Sequence, residues 1–240
     1  MSPVGVPVAA LAPGEVHVWY VDLDGVPPVD GAGCLDASER DRADRFYRER
    51  DRRRFRASHC AFRHLVAGYL GCAPGAVRIS RQCAHCGDPE HGKPAVTGPA
   101  GVRPAEVSAS HGDALGAVAV ARPPLEVGVD VERRRPGVDW AGILPDPAPG
   151  EPPGDPFDRW TRLEAVAKAA GTGIVTMPRL TGPAADGWGP AEVPGTGRGW
   201  QVRSLAAPDG YAAALAVSRI PAAGVRTHRY SPGVPGPVGE

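Results

Sequence analysis

The sequence predicts an α+β fold built in two halves, and three observations lead there. Short valine- and alanine-rich runs with the period of strands recur from residue 16 to residue 132. Two stretches, 36–71 and 157–171, carry the 3.6-residue period of helices instead. Between the halves, Arg122-Pro123-Pro124 interrupts the apolar pattern just before the run VGVDVE (127–132), which marks a boundary.

Taken in order, VHVWYVDL (16–23) mixes valines and aromatics in loose alternation and predicts a first strand. From Asp36 the pattern turns helical, with Ser38 as N-cap and Ala43, Phe46 and Tyr47 on one face. After a break near Asp51, Phe62, Leu65, Val66 and Tyr69 repeat at i, i+3, i+4, i+7 until Gly71, so the second helix is largely buried. VRIS (77–80) is a short strand, followed by a Cys/His/Gly-rich loop that ends in HGKPAV (91–96), read as a tight turn fixed by proline. Residues 105–120 predict a hairpin turning at His111-Gly112-Asp113. Residues 133–156 are rich in proline and glycine and predict loop, with a small apolar patch of Val138, Trp140, Ile143 and Leu144. Helix returns from Phe157 to Ala170 and closes at Gly171, and Trp200–Leu205 with Tyr211–Ser218 predict a second hairpin. The expected units are residues 1–122, residues 125–220 and a disordered Pro/Gly-rich tail, 221–240.

Composition narrows the function classes. The 240 residues are 42% hydrophobic, enough for a real core. A formal charge of zero provides no global field toward nucleic acid or an anionic membrane, so any anion site must be local. No apolar run reaches the roughly 18 residues needed to cross a bilayer, and the first residues, MSPVGVPVAALAPGEV, lack the basic start of a signal peptide. Five scattered cysteines suit a reducing compartment better than a disulfide framework, and a cytoplasmic protein is expected. Arginine fills nearly every cationic position: of 27 Lys and Arg, only Lys93 and Lys168 are lysine.

In VGVDVE a period of two puts Val127, Val129 and Val131 on one face and Gly128, Asp130 and Glu132 on the other, with Gly128 leaving room beside the carboxylates. Two like charges so placed repel unless a cation lies between them, and oxygen ligands suit Mg²⁺. Periodicity alone leaves an exposed polar edge strand equally open. On FDRWTRLEAVAKAAG (157–171), Trp160, Glu164 and Lys168 form one stripe at i, i+4, i+8. Glu before Lys at i, i+4 is ordinarily a surface ion pair. The rarity of lysine and the tryptophan on the same stripe favour a packed face, from which Glu164 could complete the metal set and Lys168 could meet phosphate charge. Lys93 in HGKPAV is a point charge suited to phosphate, and Ser110-His111 end a strand at a turn where an imidazole can contact an anion. RFYRERDRRRFR (45–56) is mostly a solvated helix face, with room for one or two phosphate-binding arginines. CAHC (83–86), with His85 and His91, has the spacing of a zinc site but lacks a second pair.

In this order, HGKPAV, SASH, VGVDVE and WTRLEAVAKAAG resemble the signature set of the surfactin-synthetase-type (Sfp-like) 4'-phosphopantetheinyl transferases. The resemblance spans roughly residues 15–220 and includes the arginine-rich helices. It implies two similar α+β halves related by pseudo-twofold symmetry, with coenzyme A and Mg²⁺ in the cleft between them. It also implies the reaction of a holo-[acyl-carrier-protein] synthase: the phosphopantetheine arm passes from coenzyme A to a serine of an apo acyl or peptidyl carrier protein, releasing 3',5'-ADP.

By motif position the resemblance makes Asp130, Glu132 and Glu164 the metal ligands. Glu164, directly or through water, becomes the base for the serine hydroxyl, and Lys168 stabilises or protonates the leaving oxygen. His111 and Arg54 would contact the 3'-phosphate, Lys93 another part of coenzyme A, and Ser110 would hydrogen-bond nearby. A monomer is expected, since one chain already supplies both halves. The carrier stays open among fatty-acid, polyketide and nonribosomal-peptide systems. Two features depart from the family pattern: CAHC is an insertion, and GVDWAGILPDPAPGEPPGDP (137–156) is shorter and more proline-rich than the helical stretch that helps receive the carrier. Two other classes remain for test, a Mg²⁺-dependent phosphohydrolase and a non-catalytic module binding coenzyme A or a carrier. Retention of all three carboxylates together with Lys168 weighs against the second.

Overall fold

The computed structural model describes residue 8 and residues 10–26, 34–82, 92–98, 105–147, 149, 151, 153–182 and 187–231. The chain opens with β1 (Glu15–Asp22) and two helices, α1 (Ala37–Asp44) and α2 (Glu49–Leu70). Next come β2 (Arg78–Gln82), β3 (Lys93–Thr97) and the hairpin β4 (Glu106–Gly112) and β5 (Leu115–Ala121). Then follow β6 (Val127–Arg133), α3 (Pro156–Ala170), β7 (Arg179–Leu180), β8 (Gly189–Glu192), β9 (Gly199–Ser204), β10 (Tyr211–Val217) and β11 (Gly224–Tyr230).

The strands form two main sheets, ordered β11-β1-β5-β4 and β6-β10-β9-β8-β7, plus a β2-β3 ribbon. Alternation along the strands decides the layers. Val16, Val18 and Tyr20 of β1 pack with Ala117 and Ala119 of β5, the three valines of β6 and Leu215 of β10, which places one core between the two sheets. Trp19 and Val21, on the other face of β1, pack on Phe62, Leu65 and Val66 of α2. The outer face of the second sheet, with Ala214, Ala216, Trp200 and Val202, packs on Leu163, Ala165, Val166 and Ala169 of α3. Each helix thus buries its apolar stripe on the back of one sheet. No helix among the described residues is long and apolar enough to cross a membrane.

Several local expectations need correction. Helix α1 is capped by Asp36, not Ser38. The Asp36 carboxylate accepts from the Glu39 N–H while the Glu39 side chain accepts from the Asp36 N–H, a reciprocal capping box. HGKPAV is not a turn throughout: Lys93 to Val96 belong to β3, paired antiparallel with β2. The tail is not disordered from residue 221, because Gly224–Tyr230 pairs in parallel with β1 along its whole length. Its strand signal is hidden because inward positions are polar: His228 stacks on Trp19 with ring centroids 4.5 Å apart, and the Tyr230 hydroxyl bonds His64 at 3.0 Å. Strands β7 and β8 were not expected, being only two and four residues long. CAHC, His91 and residues 232–240 lie outside the described residues.

Among its described residues, the proline-rich segment after β6 is mostly loop with one 3₁₀ turn at Trp140–Gly142. It is tied down nonetheless. Trp140 packs edge-on against Phe157 at 4.7 Å, and Arg159 of α3 bonds Glu151 at 2.6 Å and the Pro145 carbonyl at 2.7 Å.

Candidate active site

Strand β6 and helix α3 supply the centre of the site. β6 sends its valines into the core between the sheets, so Gly128, Asp130 and Glu132 face α3. The helix can lie there because residue 128 has no side chain: a Cβ would stand 2.1 Å from the Ala165 carbonyl oxygen and 2.3 Å from the Ala169 nitrogen. Gly128 therefore seats the helix backbone on the strand rather than leaving open space beside the carboxylates.

That contact brings the helix stripe against the strand. Lys168 Nζ donates to Asp130 Oδ1 at 2.5 Å and to Ser110 Oγ at 2.8 Å, and Ser110 in turn donates to the same Asp130 oxygen at 2.7 Å. The Trp160 indole lies beside the Glu132 carboxylate and slightly favours its charged form. Lys168 thus reaches across to β6 and β4 instead of remaining in a solvated pair on its own helix. Asp130 is 3% exposed, and its second oxygen, Oδ2, is buried with no hydrogen-bond partner among the described residues. A buried, unbonded carboxylate oxygen is costly unless something meets it.

The electrostatics point the same way. Burial raises the Glu132 pKa, and the neighbouring Asp130 adds to that against weaker pulls from Arg135, Lys168 and Trp160. Glu164 is likewise raised by burial; Lys168 opposes this, while Asp130 and Glu132 reinforce it. Three acids crowd one lysine. Among the described residues, no group of three or more His, Cys, Asp and Glu is drawn together closely enough to hold a metal as it stands. The donor set nevertheless suits a hard cation: all oxygen, mutually repelling, with one buried oxygen already free of partners.

The remaining expected residues are placed differently. His111 sits at the exposed end of β4, and the protein packed around its ring lowers its pKa. The charges of His59, Lys168 and Arg42 lower it further, with Asp130 pulling the other way. Arg42 and His59 were not singled out in the sequence. Their only signal is a helical position on α1 and α2, and nothing local says that both helices end up near β4. Arg54 is engaged: it grips Asp24 with two bonds of 2.8 and 2.6 Å and also bonds Asp113. Asp113, in the left-handed region at φ 51°, turns the β4–β5 hairpin and is also bonded by Arg133. Arg54 therefore secures that turn. Lys93 donates to the Ala169 carbonyl at 3.0 Å and pairs with Glu106 at 3.2 Å, which ties β3 to α3 and β4 rather than joining it to the carboxylates.

No protein-family model matches the chain. It is similar to the 4'-phosphopantetheinyl transferase HetI of Nostoc sp. (strain PCC 7120), with 32% identity over 232 residues, covering 88% of this chain and 91% of that protein. At that identity across nearly the whole of both chains, with an acid-rich centre built from β4, β6 and α3, the chain belongs to the 4'-phosphopantetheinyl transferase family.

Proposed function

We propose that this chain transfers the 4'-phosphopantetheine arm of coenzyme A to a serine hydroxyl of an apo acyl or peptidyl carrier protein, with Mg²⁺, releasing 3',5'-ADP. The observation that carries this reading is Asp130: one oxygen is shared by Lys168 and Ser110, and the other is buried and unbonded beside two further acids. Such a centre fits a reaction in which negative charge arrives and moves, rather than a static structural ion pair.

Asp130, Glu132 and Glu164 would hold Mg²⁺, which when bound supplies charge neutralisation for the pyrophosphate. Glu164, its carboxyl pKa raised by burial and by its acidic neighbours, is the better proton acceptor for the incoming serine hydroxyl. Lys168 exchanges its Asp130 contact for the leaving phosphate oxygen and donates a proton or a hydrogen bond there. His111 meets the 3'-phosphate, joined by Arg42 and by the His59 imidazole nearby. Arg54 and Lys93 contribute to coenzyme A binding from their tethered positions. Pseudo-twofold symmetry between the halves, a monomeric state and a cytoplasmic site of action belong to the same proposal.

The test is a single incubation of the protein with coenzyme A, Mg²⁺ and an apo carrier protein, with the carrier weighed by mass spectrometry. The carrier is expected to gain one phosphopantetheine arm. Cleavage of coenzyme A with no carrier present would favour a phosphohydrolase, and coenzyme A binding without turnover a non-catalytic module.

A further inference from the structure

Strands β4 and β6 are edge strands of different sheets, and they meet at the site. An edge strand carries a row of outward N–H groups, and a buried one must find an acceptor. Val129 is fully buried, and its N–H is taken by a side chain: Ser108 Oγ accepts it at 3.0 Å. Ser108 itself is 2% exposed. Two residues on, and on the same face of β4, Ser110 donates to Asp130 Oδ1 at 2.7 Å. Two further on, a Cβ at Gly112 would stand 2.9 Å from the Val131 carbonyl oxygen and 3.1 Å from Glu132 Cα. The same-face positions 108, 110 and 112 of β4 therefore track residues 129 to 132 of β6, advancing in one direction along both strands.

We propose that Ser108 is a positioning residue: its hydroxyl clamps β6 to β4 at Val129 and so sets where the adjoining Asp130 carboxylate stands relative to Ser110 and Lys168. The functional meaning rests on the transferase reading above, but the clamp can be measured without it. Ser108 contacts neither substrate nor cation. It acts through the backbone of β6, in the way that outer-shell partners hold ligands in place. Alanine at 108 would leave the Val129 N–H buried without an acceptor, and β6 would be free to shift until solvent or another group met it. Threonine keeps the hydroxyl.

The experiment compares wild type, Ser108→Ala, Ser108→Thr and Ser108→Cys as full chains, each checked for folding by circular dichroism. Mn²⁺ is the cation probe, its affinity measured by calorimetry, and steady-state transfer is measured against Mg²⁺. Ser108→Ala is expected to weaken Mn²⁺ binding by about ten- to a hundred-fold and to raise the KM for Mg²⁺ in step, with kcat at saturating Mg²⁺ changed far less. Ser108→Thr should restore both. If Ser108→Ala does not fold, Ser108→Cys, similar in size but a weak acceptor, should show the same loss of affinity. A folded Ala or Cys variant whose Mn²⁺ affinity equals that of wild type overturns the clamp, even if its melting temperature has dropped. Should wild type bind Mn²⁺ yet transfer no arm, the transferase reading falls and the Ser108 comparison is decided by affinity alone. Should wild type bind no divalent cation, both fall.

Discussion

Replacing Gly128 by alanine probes the contact on which the site depends. The added methyl carbon would lie 2.1 Å from the Ala165 carbonyl oxygen, 2.3 Å from the Ala169 nitrogen and 2.9 Å from Ala169 Cα. All three neighbours are backbone, so no side-chain rotation can relieve the clash. To reach the 3.4 Å of ordinary contact, α3 must retreat by about 1.3 Å at its nearest point. Overpacking of this kind costs about 1–3 kcal/mol, and a backbone neighbour places it at the upper end. The same retreat carries Glu164 and Lys168 away from β6, stretching the 2.5 Å contact between Lys168 and Asp130. A misplacement of about 1 Å at a reacting centre costs about a hundred-fold in rate. Urea unfolding followed by circular dichroism should show a lower midpoint at unchanged slope. Carrier modification at saturating coenzyme A should slow by about two orders of magnitude. A Gly128→Ala protein that unfolds at the wild-type midpoint and transfers at the wild-type rate would refute the seating of α3 described here.

Three further outcomes follow from the same geometry. Lys168→Met removes the cation shared by Asp130 and Ser110 and should cost about 1–3 kcal/mol, below the value for a fully buried pair because Lys168 is 29% exposed; added Mg²⁺ should raise the melting temperature of this variant more than that of wild type, as differential scanning fluorimetry would show. Burial opposes ionisation of Glu39, but hydrogen bonds from His59 and the Asp36 N–H and the charge of Arg63 outweigh it and hold the pKa at about 2 against an ordinary 4.5. Its contribution, about 3 kcal/mol, is present above pH 4.5 and lost as pH falls toward 2, so Glu39→Gln should be markedly less stable at pH 7 and should narrow that gap in acid. His17 and His228, 4.8 Å apart between ring centroids, are both lowered by burial, so the unfolded chain takes up protons near pH 6.5 that the folded chain refuses. Stability should hold above pH 6.5 and decline below it, and His228→Gln should flatten that decline in urea midpoints taken across the range.

Legibility in the sequence followed the local character of each signal. α3 could be read closely because Trp160, Glu164 and Lys168 repeat at i, i+4, i+8 and Gly171 ends it in the left-handed conformation at φ 75°. β6 could be read because alternation along VGVDVE puts its valines on one face, and those valines do line the core between the sheets. β11 escaped notice because its buried positions, His228 and Tyr230, are polar and owe their burial to Trp19 and His64, more than 160 residues away in the chain. Gly128 is ambiguous in the sequence for a related reason: absence of a side chain says that something approaches closely, but not what approaches.

Sequence by itself determined which residue types are available and which share a face. It set Asp130 with Glu132 on one side of a strand and Glu164 with Lys168 on one stripe of a helix, because periods of 2 and 3.6 are properties of the local backbone. Only tertiary structure decided that Lys168 crosses to Asp130 instead of pairing on its own helix, that Arg54 is held by Asp24 and Asp113, and that Ser108 meets the Val129 N–H. Those contacts join residues 21 to 59 positions apart in the chain. They are set by how two sheet edges and a helix backbone pack together, a property of the whole fold that no local period encodes.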